Sequence, residues 1–176
     1  MNFRAPKEYR LTEEEAAGLD PWHIINAVIF RVAEDAPTLT DSDAMEDFFD
    51  SILSVQAAAF SAWFSASFAV VGGMWHIFEC CCAPMVYKAI EGYELLYEPG
   101  PAQTLRLACA RFPGGVVPRG SREVEQFVFG KDSDLPPPAE LGAEFEDAKQ
   151  VHAFFDFERL YHDRRDCFVI PKEKVP

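Results

Sequence analysis

Apolar residues recur at spacings of three and four along most of the chain, the period of a helix with one buried face. Trp22, Ile25, Val28, Ile29 and Val32 form the first such set. Asp20-Pro21 precedes it, an N-cap carboxylate followed by a proline at the first helical position, and Pro37 stops it. A second start lies at Thr40 or Asp41. From there Met45, Phe48, Phe49, Ile52 and Leu53 carry the period into a charge-free run from Ser51 to Phe78, which predicts one helix over 44–70, amphipathic at first and then apolar nearly all round. A helix of that kind is central in a bundle.

The paired glycines Gly72-Gly73 interrupt the pattern, and a short helix from Met74 to the cysteines is expected after them. Pro84 opens a further helix with Val86, Ala89, Ile90, Tyr93 and Leu96 on one face. Pro101 opens the next, with Leu105, Ala108, Cys109 and Phe112 inward, until Pro113-Gly114-Gly115. Ser121 caps a shorter helix through Phe129. The prolines of 130–138 predict a loop, Phe145 to Leu160 a last long helix, and the tail DCFVIPKEKVP a strand at most. The expected fold is all-α: a single-domain multi-helix bundle around the central apolar helix, over 1–176, with residues 1–19 as an N-terminal arm. A chain of 176 residues can bury a core without metal or disulfide staples.

Length alone would let the charge-free run cross a bilayer, which needs about 20 residues. Ser54, Ser61, Ser65, Ser67, Gln56 and His76 dilute it, and its flanks are acidic, with Glu46, Asp47 and Asp50 before it and Glu79 after it. A core helix is the expectation, with no membrane contact. The first residues, MNFRAPKEYRL, contain no apolar signal core, and the five cysteines show no disulfide spacing; cytoplasmic location with reduced thiols follows as the expectation.

Catalytic patterns are sparse. No serine lies in GxSxG, and neither GxGxxG nor GxxxxGK[ST] occurs. His76, Glu79 and Cys80 stand at helical spacing and form the one metal-ligand alternative, but adjacent Cys80, Cys81 and Cys82 project about 100° apart on a helix and cannot converge on one ion. His23, His152 and His162 read as helix-surface or core residues. A non-enzyme without cofactor or metal is expected.

Charge is the anomaly. The chain carries a formal net charge of -13, and residues 1–50 hold twelve acidic against four basic side chains. Between Glu34 and Asp50 lie Glu34, Asp35, Asp41, Asp43, Glu46, Asp47 and Asp50 with no basic residue. Net charge keeps proteins soluble whatever they do, yet a row of carboxylates on one helix face also attracts a Lys/Arg-rich surface and competes with the polyanion held there. Direct nucleic-acid binding is disfavoured by repulsion from the phosphates. The partner-binding candidates are Asp41, Asp43, Glu46, Asp47 and Asp50, then Glu34 and Asp35, with Glu13, Glu14 and Glu15 as an extension. An antitoxin-like immunity or adaptor protein that binds a toxin or enzyme by shape is the alternative.

The segments DPWHIINAVIFRV, VVGGMWHIFECCCAPMVYKAIEGYELL, LACARFPGG and EFEDAKQVHAFFDFERLYHD, in that order over about residues 20 to 168, resemble an all-helical bacterial family of DNA-mimic proteins, a domain of unknown function. The most specific part is the double glycine followed by an aromatic-rich helical turn. Where that family has asparagine, two glycines, an aromatic, any residue, glutamine and an aromatic, this chain has Val71, Gly72, Gly73, Met74 and His76, with Phe78 nearby. The glycines stay and the polar groups do not. The resemblance implies a helical monomer or homodimer whose acidic surface occupies the DNA-binding face of a partner such as a transcription factor.

Overall fold

A computed structural model describes residues 7–129 and 155–172. It is all-α apart from one short strand pair. Strand β1 (Leu11–Thr12) leads into α1 (Glu13–Ala16), followed by α2 (Pro21–Asp35), α3 (Ser42–Asp50), α4 (Ser54–Gly72), α5 (Met74–Cys80), α6 (Ala83–Leu95), α7 (Pro99–Cys109) and α8 (Ser121–Phe129). After the undescribed stretch come α9 (Phe157–Arg164), a 3-10 turn (Arg165–Cys167) and β2 (Val169–Ile170). The proline-rich loop of 130–138 and most of the long helix expected from Phe145 lie outside the described residues.

Helix α4 is the centre, with ten of its nineteen residues buried. Alanines and serines at 57, 58, 59, 61, 62, 65, 66 and 69 make most of that buried set, and small side chains let neighbouring backbones come close. Gly92 of α6 uses this: a β-carbon there would lie 2.0 Å from the Ala58 carbonyl oxygen and 2.7 Å from the Ala62 β-carbon. Ser65 Oγ donates to the Ala62 carbonyl at 3.0 Å, so its hydroxyl accepts from the buried Tyr93 hydroxyl at 2.8 Å. By length and composition α4 could cross a membrane; in this fold it is the core.

The single helix expected over 44–70 is two. Ser51 Oγ donates to the Phe48 carbonyl at 2.7 Å and ends α3, and Leu53 is extended (φ -67°, ψ 133°) before α4 begins. Ile52 is buried at the break, so the apolar period runs through a corner that a period alone does not reveal. The paired glycines act as expected. Gly73 adopts φ 77°, open to glycine and costly for side chains, and the imidazole of His76 fills the place where a Gly72 β-carbon would sit, 2.6 Å from His76 Cγ.

The N-terminal arm is packed from residue 7 onward. Tyr9, Leu11 and Ala16 are buried, and β1 pairs in parallel with β2, Leu11 opposite Val169 and Thr12 opposite Ile170. Gln56 Nε2 donates to the Cys167 carbonyl at 2.8 Å and fixes this pair to α4. Trp22 also differs from expectation: it is 46% exposed, while Ile24, Ile25, Val28, Ile29 and Val32 form the inward face of α2. In the first turn of α2, the tryptophan stands at the edge of that face, edge-on to Trp63 with centroids 6.3 Å apart.

Candidate functional site

Helix α3 begins at its own cap, where Asp41 accepts from the Ala44 amide at 3.1 Å. Ser42, Met45 and Phe49 face inward. The opposite face carries Asp43, Glu46, Asp47 and Asp50, all exposed, at offsets of zero, three, four and seven, which on a helix is one stripe. The hydrophobic period and the acidic stripe therefore specify each other: burying Met45 and Phe49 turns the four carboxylates outward together.

One guanidinium reaches this stripe from far along the chain. Arg119 Nη2 lies 2.7 Å from Asp43 Oδ1 and 2.6 Å from Glu46 Oε2. Its segment is fixed on both sides: Ser42 Oγ donates to the Arg119 carbonyl at 2.7 Å, and the Val117 amide donates to the Tyr87 hydroxyl at 3.0 Å. Sequence reasoning missed Arg119, which stands 73 residues from Glu46 with no local pattern to announce the pairing. Among the described residues Asp47 and Asp50 form no ion pair. Glu34 is likewise exposed and unpaired among them, whereas Asp35 pairs with Lys7. That contact holds the Asp35 carboxyl below its usual range, and burial, with Asp35 nearby, pushes the Tyr9 hydroxyl up to about 12. Asp35 thus anchors the N-terminal segment.

Glu13, Glu14 and Glu15 do not extend the stripe as a free acidic group. Glu15 forms a capping box with Thr12 and meets Arg31 at 2.7 Å; the Arg31 contact leads the Thr12 amide in lowering its carboxyl to about 2. Glu13 lies 3.4 Å from Arg165. Two of the three serve the fold.

The cluster at His76 is built but does not converge. Glu79 Oε2 takes Nδ1 of the imidazole at 2.6 Å, and Cys80 Sγ lies 3.5 Å from Nε2 and 3.9 Å from Nδ1. Nδ1 is thus engaged by Glu79, and the sulfur lies at long contact distance from both nitrogens. Burial, with Glu79 adding to it, also raises the Cys80 thiol, opposite to the lowered thiol of a reactive cysteine. Among the described residues no three His, Cys, Asp or Glu side chains are grouped to hold a metal.

No protein-family model, curated protein or solved structure matches the chain. The likeness to the DNA-mimic family stands on the quoted residues alone.

Proposed function

We propose that this chain is a non-enzymatic acidic binding protein, a DNA mimic that docks through the exposed face of α3 on the Lys/Arg-rich surface of a partner such as a transcription factor. The observation that carries this reading is the common face of Asp43, Glu46, Asp47 and Asp50. Seven residues of helix advance about 10 Å. The four carboxylates over that length are on average about 3.5 Å apart along the axis, close to the ~3.4 Å per phosphate of a single DNA strand, and Arg119 offsets one of them. The stripe is short, so it matches the footprint of a few basic side chains.

Placement supports the reading too. Asp47 and Asp50 stand toward the C-terminal end of α3, and no basic residue occupies its last turn. Acids there oppose the helix dipole by about 0.3–1 kcal/mol each, so helix stability does not account for them.

The test is capture on the immobilised protein with a salt gradient, followed by competition of each captured partner against duplex DNA. The reading expects partners that elute at high salt, that exchange DNA for this protein, and that are lost when Glu46, Asp47 and Asp50 are changed to lysine. Capture unchanged by that triple reversal overturns it.

A second reading has its own observation. Trp22 and Phe30 are 46% and 53% exposed on α2, both edge-on to Trp63 at 6.3 Å. Exposed aromatic anchors favour an immunity or adaptor protein that binds by shape. Salt-insensitive binding abolished by Trp22→Ala would replace the first reading with this one.

A further inference from the structure

Beside the acidic stripe, α3, α6 and the segment 116–119 line a half-open cavity of about 460 Å³. Phe49, Ala83 and Val117, all buried, are among its apolar lining, and Tyr87 and Val116 are its exposed apolar residues, at 38% and 61%. Its charged lining is Glu46, Asp50 and Glu91 with the cations Lys88 and Arg119, three acids against two bases. Glu91 is engaged by Lys88 at 2.6 Å, and Glu46 by Arg119 at 2.6 Å. Asp50 is the lining carboxylate without an ion pair among the described residues.

A cavity with apolar lining, an unpaired carboxylate and two exposed apolar side chains fits a side chain that is apolar along its length and cationic at its tip. Lysine and arginine both have that form, and the guanidinium is favoured. It is the more weakly hydrated cation, and its planar fork can meet carboxylates from more than one direction. The chain displays this selection itself, since the guanidinium of Arg119 bridges Asp43 and Glu46 at the edge of the same cavity.

We propose that this cavity is the anchor site of the stripe: one arginine of the basic partner inserts its stem between Tyr87 and Val116 and pairs with Asp50, while neighbouring basic residues lie along α3. The inference rests on the reading of α3 as a docking face and adds the residue type that the face selects. Arg119 tunes the site. Its pairs are half-exposed or more, and exposed pairs contribute little to stability, so Arg119→Ala leaves the fold intact and raises affinity for arginine.

The test uses the full-length 15N-labelled protein at low salt, titrated with acetyl-Arg-Gly-Arg-Gly-Arg-amide and with its lysine counterpart. Saturable amide shifts are expected at Asp50, Tyr87, Val116 and Val117, with the lysine peptide weaker by at least about fivefold. Asp50→Asn should weaken arginine binding more than Asp47→Asn, which lies outside the cavity. Val116→Trp, at an exposed position, should block the cavity and reproduce the Asp50→Asn loss. Shifts confined to Asp43 and Asp47, equal response to the two peptides, or equal losses from Asp50→Asn and Asp47→Asn overturn the anchor site and leave the α3 reading standing. No response to either peptide overturns both.

Discussion

Gly92 of α6 meets the main chain of α4 at Ala58, where the space for a β-carbon is already taken by the carbonyl oxygen, 2.0 Å from the ideal position. Alanine has the higher helix propensity by about 1 kcal/mol, so a propensity argument predicts that Gly92→Ala stabilises. The contact reverses the sign, because the obstacle is backbone and the two helices must separate. Gly92→Ala is expected to destabilise by about 1–3 kcal/mol in urea unfolding. Gly100→Ala, in α7 with nothing within 4 Å of its added β-carbon, should be neutral or stabilising. Equal effects of the two substitutions would remove the close crossing from the account of the core.

Ser65→Ala tests the polar contact inside the same interface. The substitution deletes a hydroxyl that accepts from the fully buried Tyr93 hydroxyl at 2.8 Å. Losing a buried partner costs about 1–3 kcal/mol, although alanine is the better helix former. Chemical unfolding of Ser65→Ala should show a loss in that range, and a gain would mean that the hydroxyl pair contributes nothing.

Acid stability should depend on Glu15. Its carboxyl is held at about 2 in the folded protein against an ordinary 4.5. A lowered carboxyl contributes stability that is fully present above 4.5 and is lost as the pH falls toward 2. Glu15→Gln is therefore expected to be less stable than the parent at pH 7, with the two converging as the pH falls from about 4.5 to about 2. Urea midpoints measured across that range check it; a constant difference would place the effect of Glu15 outside its ionisation.

Thiol chemistry separates the cysteines by burial. Cys81, Cys82 and Cys109 are buried, Cys80 and Cys167 are half-buried, and all five are free. Burial raises the thiols of Cys80 and Cys167 in each case. At neutral pH the native protein should titrate no more than two thiols with a disulfide reagent, slowly, and the denatured protein five. Fast labelling of Cys80 would restore it as a reactive group, and stoichiometric zinc after dialysis would restore the His76 cluster as a ligand set.

The acidic face can be tested without a partner. Because Asp43 and Glu46 are 91% and 56% exposed, Arg119→Ala should move the thermal midpoint by no more than the spread between replicate measurements. A thermal midpoint lowered beyond that would show that Arg119 holds the segment 116–119 in place, a structural role in place of tuning.

The periodicity of α2 and of α5 to α8, the glycine turn after α4 and the all-α class were legible because each is a local matter: spacing of apolar residues, capping side chains and backbone freedom act within a few positions. The four carboxylates of α3 belong with these, since the residues that bury Met45 and Phe49 also decide which face is wet. The corner at Ser51–Leu53 was not legible, because Ile52 and Leu53 satisfy a helical period whether the chain runs straight or turns. Nor was the pairing of Leu11 with Val169, or of Arg119 with Asp43 and Glu46, since these contacts join residues far apart in sequence and leave no periodic trace. By itself the sequence determined the class of fold and the acidic row. Tertiary structure decided how much of that row stays unpaired, and that the unpaired Asp50 borders a cavity, because both depend on which distant segment the packing brings alongside.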